Sequence, residues 1–218
     1  MSDWTMTNDL QYDPVEAVQH LSTVDPTMGG LIHRAGPYEI EIRGIHDPFQ
    51  TLMRSITFQQ LSGKAANTIY GRVVDLFEGD GPPSPEQVLE MDYDKLRGAG
   101  LSNAKTLAIQ DLAAKTIDGT VPTLEAMLEM DDGAIVDRLV EVRGIGRWTV
   151  EMLLIFRLGR ADVFPIHDLG VRKGYTRVYG LDGLITPKQL EEAGKPWRPY
   201  RSVASWYLWR AVDIVLME

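Results

Sequence analysis

Apolar residues recur at helical spacing along most of the chain. Between positions 49 and 77 they stand mostly three or four residues apart, at Leu52, Ile56, Leu61, Ala65, Ile69, Val73 and Leu76. This spacing places them on one face of an α-helix, which completes a turn about every 3.6 residues. The alternation typical of strands is almost absent, and the best strand candidate is the stretch 38–42. The pattern therefore predicts an all-α protein of about ten helices joined by short loops.

Residues that favour helix starts divide this pattern into segments. Ser84 is followed by Pro85 and, three positions on, by Gln87, which is the form of a capping box. Thr186 and Gln189 repeat that form late in the chain. Further candidate N-caps are Ser102, Thr123 and Asp132.

The amino-acid composition excludes several kinds of functional site. The 218 residues include no cysteine, which excludes disulfides, thiolate metal sites and a cysteine nucleophile. No apolar run approaches the ~20 residues of a membrane span, and the acidic start is unlike a secretory signal, so we expect a cytoplasmic protein without a membrane partner. The net charge of −9 argues against a protein that coats nucleic acid through its overall charge, but leaves room for a local basic face.

Two glycines flank one apolar residue where one predicted helix ends and the next begins. Gly144 and Gly146 let the backbone turn tightly and approach another molecule closely, and Ile145 between them can enter the core. The first amides of the second helix lack partners within the helix and carry the positive end of its dipole; they belong to Gly146, Arg147, Trp148 and Thr149. The segment predicts a phosphate-binding hairpin, although a plain helix–turn–helix with a glycine C-cap matches the same pattern.

Basic residues concentrate in and after this hairpin. Positions 143–177 hold seven Arg or Lys and three Asp or Glu, a local charge of +4 that leaves −13 on the rest of the chain. Such polarity favours the binding of a polyanion, with an affinity that falls as salt rises.

Asp168 stands where a further helix can start, and an aspartate at that position is most often an N-cap. Its segment, Asp-Val-Phe-Pro-Ile-His-Asp-Leu-Gly, follows the hairpin segment Val-Arg-Gly-Ile-Gly-Arg-Trp-Thr and the upstream Thr-Phe-Gln-Gln-Leu-Ser-Gly-Lys. Together these motifs resemble the helix-hairpin-helix (HhH-GPD) DNA glycosylases, and most closely their AlkA-like 3-methyladenine DNA glycosylase II branch. The resemblance covers residues 45–212.

This resemblance implies a two-lobed helical fold with a cleft between the lobes, without the N-terminal β-domain of larger AlkA proteins. Residues 48–158 would form the central lobe, with the hairpin at 139–152, and residues 1–47 with 159–218 the lobe that carries Asp168. The resemblance implies no required cofactor. DNA-bound relatives hold a monovalent cation, sodium or potassium, on main-chain carbonyls of the hairpin, which here would be those of Val140, Val142 and Ile145.

The resemblance also implies an activity. We expect a monomeric, nucleoid-associated, bacterial-type enzyme of base excision repair that binds double-stranded DNA, flips out an alkylated base of the 3-methyladenine or 7-methylguanine type and hydrolyses its N-glycosidic bond, leaving an abasic site. Asp168 would face the sugar, where it either stabilises the oxocarbenium-like transition state or activates the attacking water. The alternatives are a glycosylase for deaminated or oxidised bases and a helix-hairpin-helix module that binds damaged DNA without catalysis.

Aromatic side chains are expected to form the base pocket. The resemblance places Trp148, Trp206, Met152 and Phe58 there, and an indole face suits a cationic purine. Trp148 occupies the position at which lyase members of the superfamily carry a Schiff-base lysine, so we expect no lyase activity.

Gln59 and Gln60 match the loop that fills the space left by the flipped base, with Gln60 as the wedge. Both glutamines could instead bond neighbouring helix ends. Arg143 stands where many of these hairpins carry proline. The arginine makes the loop less rigid than proline would, but it adds a positive charge near the expected phosphate. Core packing is the favoured role for Trp197 and Trp209.

Overall fold

A computed structural model describes residues 10–79 and 81–214. Within those residues the chain forms thirteen α-helices, one 3-10 helix and no strand, which confirms the predicted fold class. The helices are α1 (Pro14–Val24), α2 (Pro26–Ala35), α3 (Pro48–Phe58), α4 (Gly63–Val74), α5 (Pro85–Glu90), α6 (Tyr93–Gly98), α7 (Asn103–Ile117), α8 (Leu124–Glu129), α9 (Asp132–Leu139), α10 (Arg147–Phe156), α11 (Leu169–Val178), α12 (Pro187–Ala193), the 3-10 helix Lys195–Trp197 and α13 (Arg201–Ile214). None of these described helices is long and apolar enough to cross a membrane.

Local capping chemistry sets most of the helix starts. Both predicted capping boxes form, at Ser84 and Thr186, and Ser102 and Thr123 cap α7 and α8 as expected. The N-cap predicted at Asp132 is wrong by one residue, because Asp131 caps α9 by accepting the amide of Ala134 at 2.9 Å. More helices form than the sequence predicted, in part because the apolar pattern of residues 49–77 is divided between α3 and α4 by a turn at residues 59–62, where Leu61 is exposed.

The stretch 38–42, the best strand candidate in the sequence, forms no strand in the part of the chain that the structure describes. Its alternation is nevertheless real, since Tyr38, Ile40 and Ile42 are half-buried and Glu39 and Glu41 are exposed. A loop packed on one side can alternate in the same way as an edge strand, so the pattern alone does not separate the two.

The described chain divides into two compact units. One runs from Ile45 to Val150, and the other combines the residues up to Gly44 with those from Glu151 onward. Apolar side chains from α3, α6 and α7 fill the core of the first unit: Phe49, Leu52, Met53, Ile56, Leu96, Ile109 and Leu112. In the second unit Trp197 is fully buried, as expected, and its indole N–H donates to Asp25 Oδ2 at 2.9 Å.

Candidate functional site

The predicted hairpin forms between α9 and α10, and its loop comprises residues 140–146. Gly144 has a φ of 79°, a conformation that favours glycine, and a Cβ there would lie 3.3 Å from the Cβ of Ala108 on α7. Ile145 is 4% exposed and enters the core, as predicted. The loop therefore lies directly on α7, with its glycine backbone exposed.

The start of α10 offers fewer backbone donors than the sequence suggests. The amide of Thr149 donates to the carbonyl of Gly146 at 2.9 Å, inside the first turn. This amide is therefore engaged within the helix, and the role of Thr149 at a phosphate would fall to its half-buried side chain. The backbone of Gly146 and the side chain of Arg147 are exposed at the same helix start.

Two side chains of α7 hold the hairpin loop. Asp111 Oδ2 accepts the amide of Arg143 at 2.7 Å and the ammonium of Lys115 at 2.9 Å, and Lys115 also donates to the carbonyl of Glu141. Partial burial acts to raise the pKa of Asp111, but the hydrogen bonds from Arg143 and Lys115 outweigh it and hold that pKa below its usual range. The amide that proline would lack at position 143 is thus the one that anchors the loop.

The two predicted wedge residues have different environments in the turn between α3 and α4 (residues 59–62, the α3–α4 turn). Gln59 donates its side-chain amide to the carbonyl of Gly144 at 2.9 Å, so it bonds the hairpin loop. Gln60 is exposed and has a φ of 56°, a left-handed conformation that few non-glycine residues adopt. Lys105 of α7 donates to the carbonyls of Thr57 and Gln59, both at 2.7 Å.

The four predicted pocket residues are divided between the two units: Phe58 and Trp148 belong to the first, Met152 and Trp206 to the second. Trp148 is 51% exposed at the first turn of α10, and Met152 is half-buried one turn later. Trp206 packs against the edge of Tyr38, with ring centroids 5.0 Å apart, and Arg210 stands 5.5 Å from its ring. The guanidinium of Arg54 lies 4.0 Å from the centroid of Phe58, so that face of Phe58 already holds a cation.

Asp168 is the N-cap of α11, and its carboxylate has a second partner. Oδ1 accepts the amide of Val171 at 2.8 Å and the indole N–H of Trp209, also at 2.8 Å. Asp168 can therefore act as the predicted N-cap and still present an oriented carboxylate to a ligand. A charged acceptor bonded by two donors from different elements has a fixed orientation.

Close packing of α11 on α13 brings Trp209 to Asp168, and sequence reasoning missed this role. A Cβ on Gly174 would lie 2.0 Å from the carbonyl oxygen of Leu208, and one on Gly170 would lie 2.7 Å from Cδ1 of Trp209. Both positions therefore have to be glycine for this approach. Two glycines four residues apart just after Asp168 were the available signal, because small residues at that spacing share one helix face.

Comparison with known proteins agrees with these motifs. The chain matches the HhH-GPD superfamily of base excision DNA repair proteins over residues 53–199. It is 36% identical over 193 residues to DNA-3-methyladenine glycosylase 1 of Schizosaccharomyces pombe, covering 88% of this chain and 84% of that protein.

Two solved structures are similar along nearly the whole length. DNA-3-methyladenine glycosidase of Bacillus halodurans has a TM-score of 0.84 at 33% identity, with 98% of this chain and 95% of that one covered. The 3-methyladenine DNA glycosylase of S. pombe in complex with abasic DNA has a TM-score of 0.76 at 36% identity, with 89% and 95% covered. The resemblance read from the sequence motifs is confirmed, and the chain belongs to the HhH-GPD superfamily of base excision DNA repair proteins.

Proposed function

We propose that the protein is a DNA glycosylase that releases alkylated bases from double-stranded DNA by hydrolysis. The observation that carries the proposal is the carboxylate of Asp168, which the amide of Val171 and the indole of Trp209 hold at the start of α11. Family membership and the names of the relatives, which are DNA-3-methyladenine glycosylases, support alkylated bases over deaminated or oxidised ones. A module that only binds DNA would gain nothing from an oriented carboxylate beside an anionic strand.

The chemistry follows from the leaving group. An N-alkylated purine already carries positive charge, so its bond to C1′ breaks with the electron pair going to the base and no proton has to be supplied. The sugar becomes oxocarbenium-like, and the negative charge of Asp168 stabilises it. Water then adds to C1′ and gives up a proton, for which the same carboxylate is a suitable acceptor. The products are the free base and an abasic site.

We further propose that the enzyme does not cut the strand. A lyase forms a Schiff base between an amine and C1′ of the sugar, and the side chain directly after the Gly-Ile-Gly-Arg sequence is Trp148, which has no amine. Its exposed indole face suits a cationic purine instead.

The hairpin loop suits an alkali cation through its main-chain oxygens. The carbonyl of Val142 accepts the amide of Ile145 at 3.0 Å and keeps a second lone pair. Together with the carbonyls of Val140 and Ile145 it would form a set of hard oxygen ligands. A cation bound there would add positive charge next to the phosphate contacted by Gly144, Gly146 and Arg147.

Incubation with methylated duplex DNA, followed by chromatography of the free bases, tests the proposed function. The wild-type protein should release 3-methyladenine and 7-methylguanine and leave strands that break only after alkali. Asp168→Asn keeps the oxygen that caps α11 but removes the charge, so it should fold and lose base release by at least about a hundredfold. Asp182→Asn, an exposed aspartate in a loop, is the matched control.

Three results would contradict parts of this assignment. Base release by Asp168→Asn at the wild-type rate would remove the carboxylate from the mechanism. Release only from DNA with deaminated or oxidised bases would change the substrate class. Trapping of a protein–DNA adduct by borohydride would show a Schiff base and hence lyase chemistry.

A further inference from the structure

The α3–α4 turn has a strained backbone at its tip. Gln60 is the one non-glycine residue with a positive φ in the described part of the chain, and it and Leu61 are exposed. A left-handed conformation costs an L-residue free energy, so it persists only where the surrounding structure holds it. The contacts that hold this turn therefore decide where Gln60 points.

The ammonium of Lys105 is the first of these contacts. It donates to the carbonyls of Thr57 and Gln59 at the C-terminal end of α3, where carbonyls lack helical partners and the helix dipole is negative. Lys105 is half-buried, and its own helix, α7, also carries Asp111 and Lys115, which hold the hairpin loop. One helix thus supports both loops.

The side chain of Gln59 is the second contact, and it joins the two loops directly. Its amide donates to the carbonyl of Gly144, 85 positions away in the chain, at 2.9 Å. Gly144 belongs to the loop whose backbone would grip a phosphate, and Gln59 is covalently next to Gln60. One hydrogen bond therefore links the hairpin loop to the residue that precedes Gln60.

We infer that Gln59 and Lys105 are positioning residues that couple the phosphate-binding hairpin loop to the α3–α4 turn, so that the grip on the DNA backbone fixes the depth and direction at which Gln60 enters the duplex. The inference rests on the proposed function, since it takes DNA as the ligand of both loops. It gives the two neighbouring glutamines separate roles, with Gln59 facing the protein and Gln60 facing the DNA. The coupling predicts that its loss weakens recognition of a flipped-out site and spares the general grip on DNA.

Binding to two matched duplexes tests the coupling. One carries a single tetrahydrofuran abasic analogue with 2-aminopurine opposite, and the other is the same duplex without the analogue. Gln59→Met keeps the side-chain length and removes the donor. We expect its affinity for the undamaged duplex to stay within twofold of wild type, its preference for the abasic duplex to fall about fivefold, and the 2-aminopurine signal of wedge insertion to fall with it.

Lys105 provides a second, independent arm. Lys105→Met removes two charge-assisted bonds, so the preference for the abasic duplex should fall about tenfold, and Lys105→Arg, which can still donate to carbonyls, should restore most of it. If Lys105→Met does not fold, Gln59→Met carries the test. Gln19→Met on α1 and Lys188→Met on α12 change exposed residues in the same way and should behave as wild type.

Two outcomes would overturn the inference. Gln59→Met with wild-type preference and insertion signal would show that the bond to Gly144 transmits nothing. An equal loss of affinity for both duplexes would show that Gln59 only supports the hairpin loop. Neither readout involves base release, so a wild-type protein that binds in this way but releases no base would refute the proposed function and leave the coupling intact.

Discussion

The Oδ1 atom of Asp168 accepts two hydrogen bonds from donors with different structural roles. The amide of Val171 ties the carboxylate to the start of its own helix, as in any N-cap. The indole of Trp209 ties it to α13 and packs beside Phe156, with ring centroids 5.6 Å apart. The first bond stabilises the helix, and the second restricts the rotation of the carboxylate about its side-chain bonds.

Replacement of Trp209 by phenylalanine separates these contributions. Trp209→Phe keeps an aromatic ring against Phe156 but removes the N–H, and a hydrogen bond to a charged group is worth about 1.5–3 kcal/mol. We expect the single-turnover rate of base release to fall about tenfold or more and the thermal midpoint to fall by about 2–4 °C for each kcal/mol lost, while the affinity for abasic DNA changes little. A loss of affinity in proportion to the rate would contradict a role confined to Asp168.

Contacts between residues that are distant in the sequence explain why the roles of Trp209 and Lys105 were not predicted. Asp168 and the hairpin glycines carry their roles in local motifs. Trp209 lies 41 positions from Asp168, and Lys105 lies 46 positions from Gln59, so a single sequence contains nothing that pairs them. Trp209 was therefore expected only in the core, and Lys105 received no role.

At the scale of elements, two glycines set how closely α11 and α13 approach. Gly174 faces the backbone of Leu208 and Gly170 faces the ring of Trp209, so the helix that begins at Asp168 lies close against the helix that carries its indole partner. Packing of this kind tolerates no added methyl group where backbone atoms oppose it.

The glycine at 174 should therefore be intolerant of substitution, and the chain offers a matched control. Gly174→Ala puts a Cβ 2.0 Å from the Leu208 carbonyl oxygen, so we expect the free energy of unfolding to fall by about 3 kcal/mol or more. Gly30→Ala, in open space within α2, should instead raise it by about 0.5–1 kcal/mol. Denaturant unfolding measures both, and equal effects at the two positions would contradict this account of the packing.

Helix starts were the most predictable elements, because capping is a property of a few consecutive residues. The caps predicted at Ser84 and Thr186 both form. The cap of α9 lies at Asp131 instead of Asp132, so this kind of prediction is accurate to about one residue. The segment 38–42 shows the opposite case, since its half-buried alternation arises from packing with residues distant in sequence. Such packing is decided by the tertiary structure and not by the segment itself.

For the molecule as a whole, charge distribution sets the conditions under which DNA binds. The chain carries −9 overall, so its average field repels a polyanion, whereas positions 143–177 carry +4. We therefore expect binding to depend on a small number of local contacts with phosphates, each of which would release condensed counterions. This dependence makes the salt slope of the affinity a direct count of those contacts.

Arg147, exposed at the start of α10, is the predicted phosphate contact to test first. Arg147→Gln should weaken binding about equally on all DNA sequences and make the slope of log affinity against log salt shallower by about 0.9, because one phosphate contact is lost. Arg34→Gln on α2 makes the same charge change at an exposed position outside the basic segment and should leave the slope unchanged. Titrations of undamaged duplexes of different sequence at several salt concentrations test this prediction. An unchanged slope for Arg147→Gln would remove this residue from the phosphate site. A loss of affinity confined to particular sequences would place it against a base edge instead.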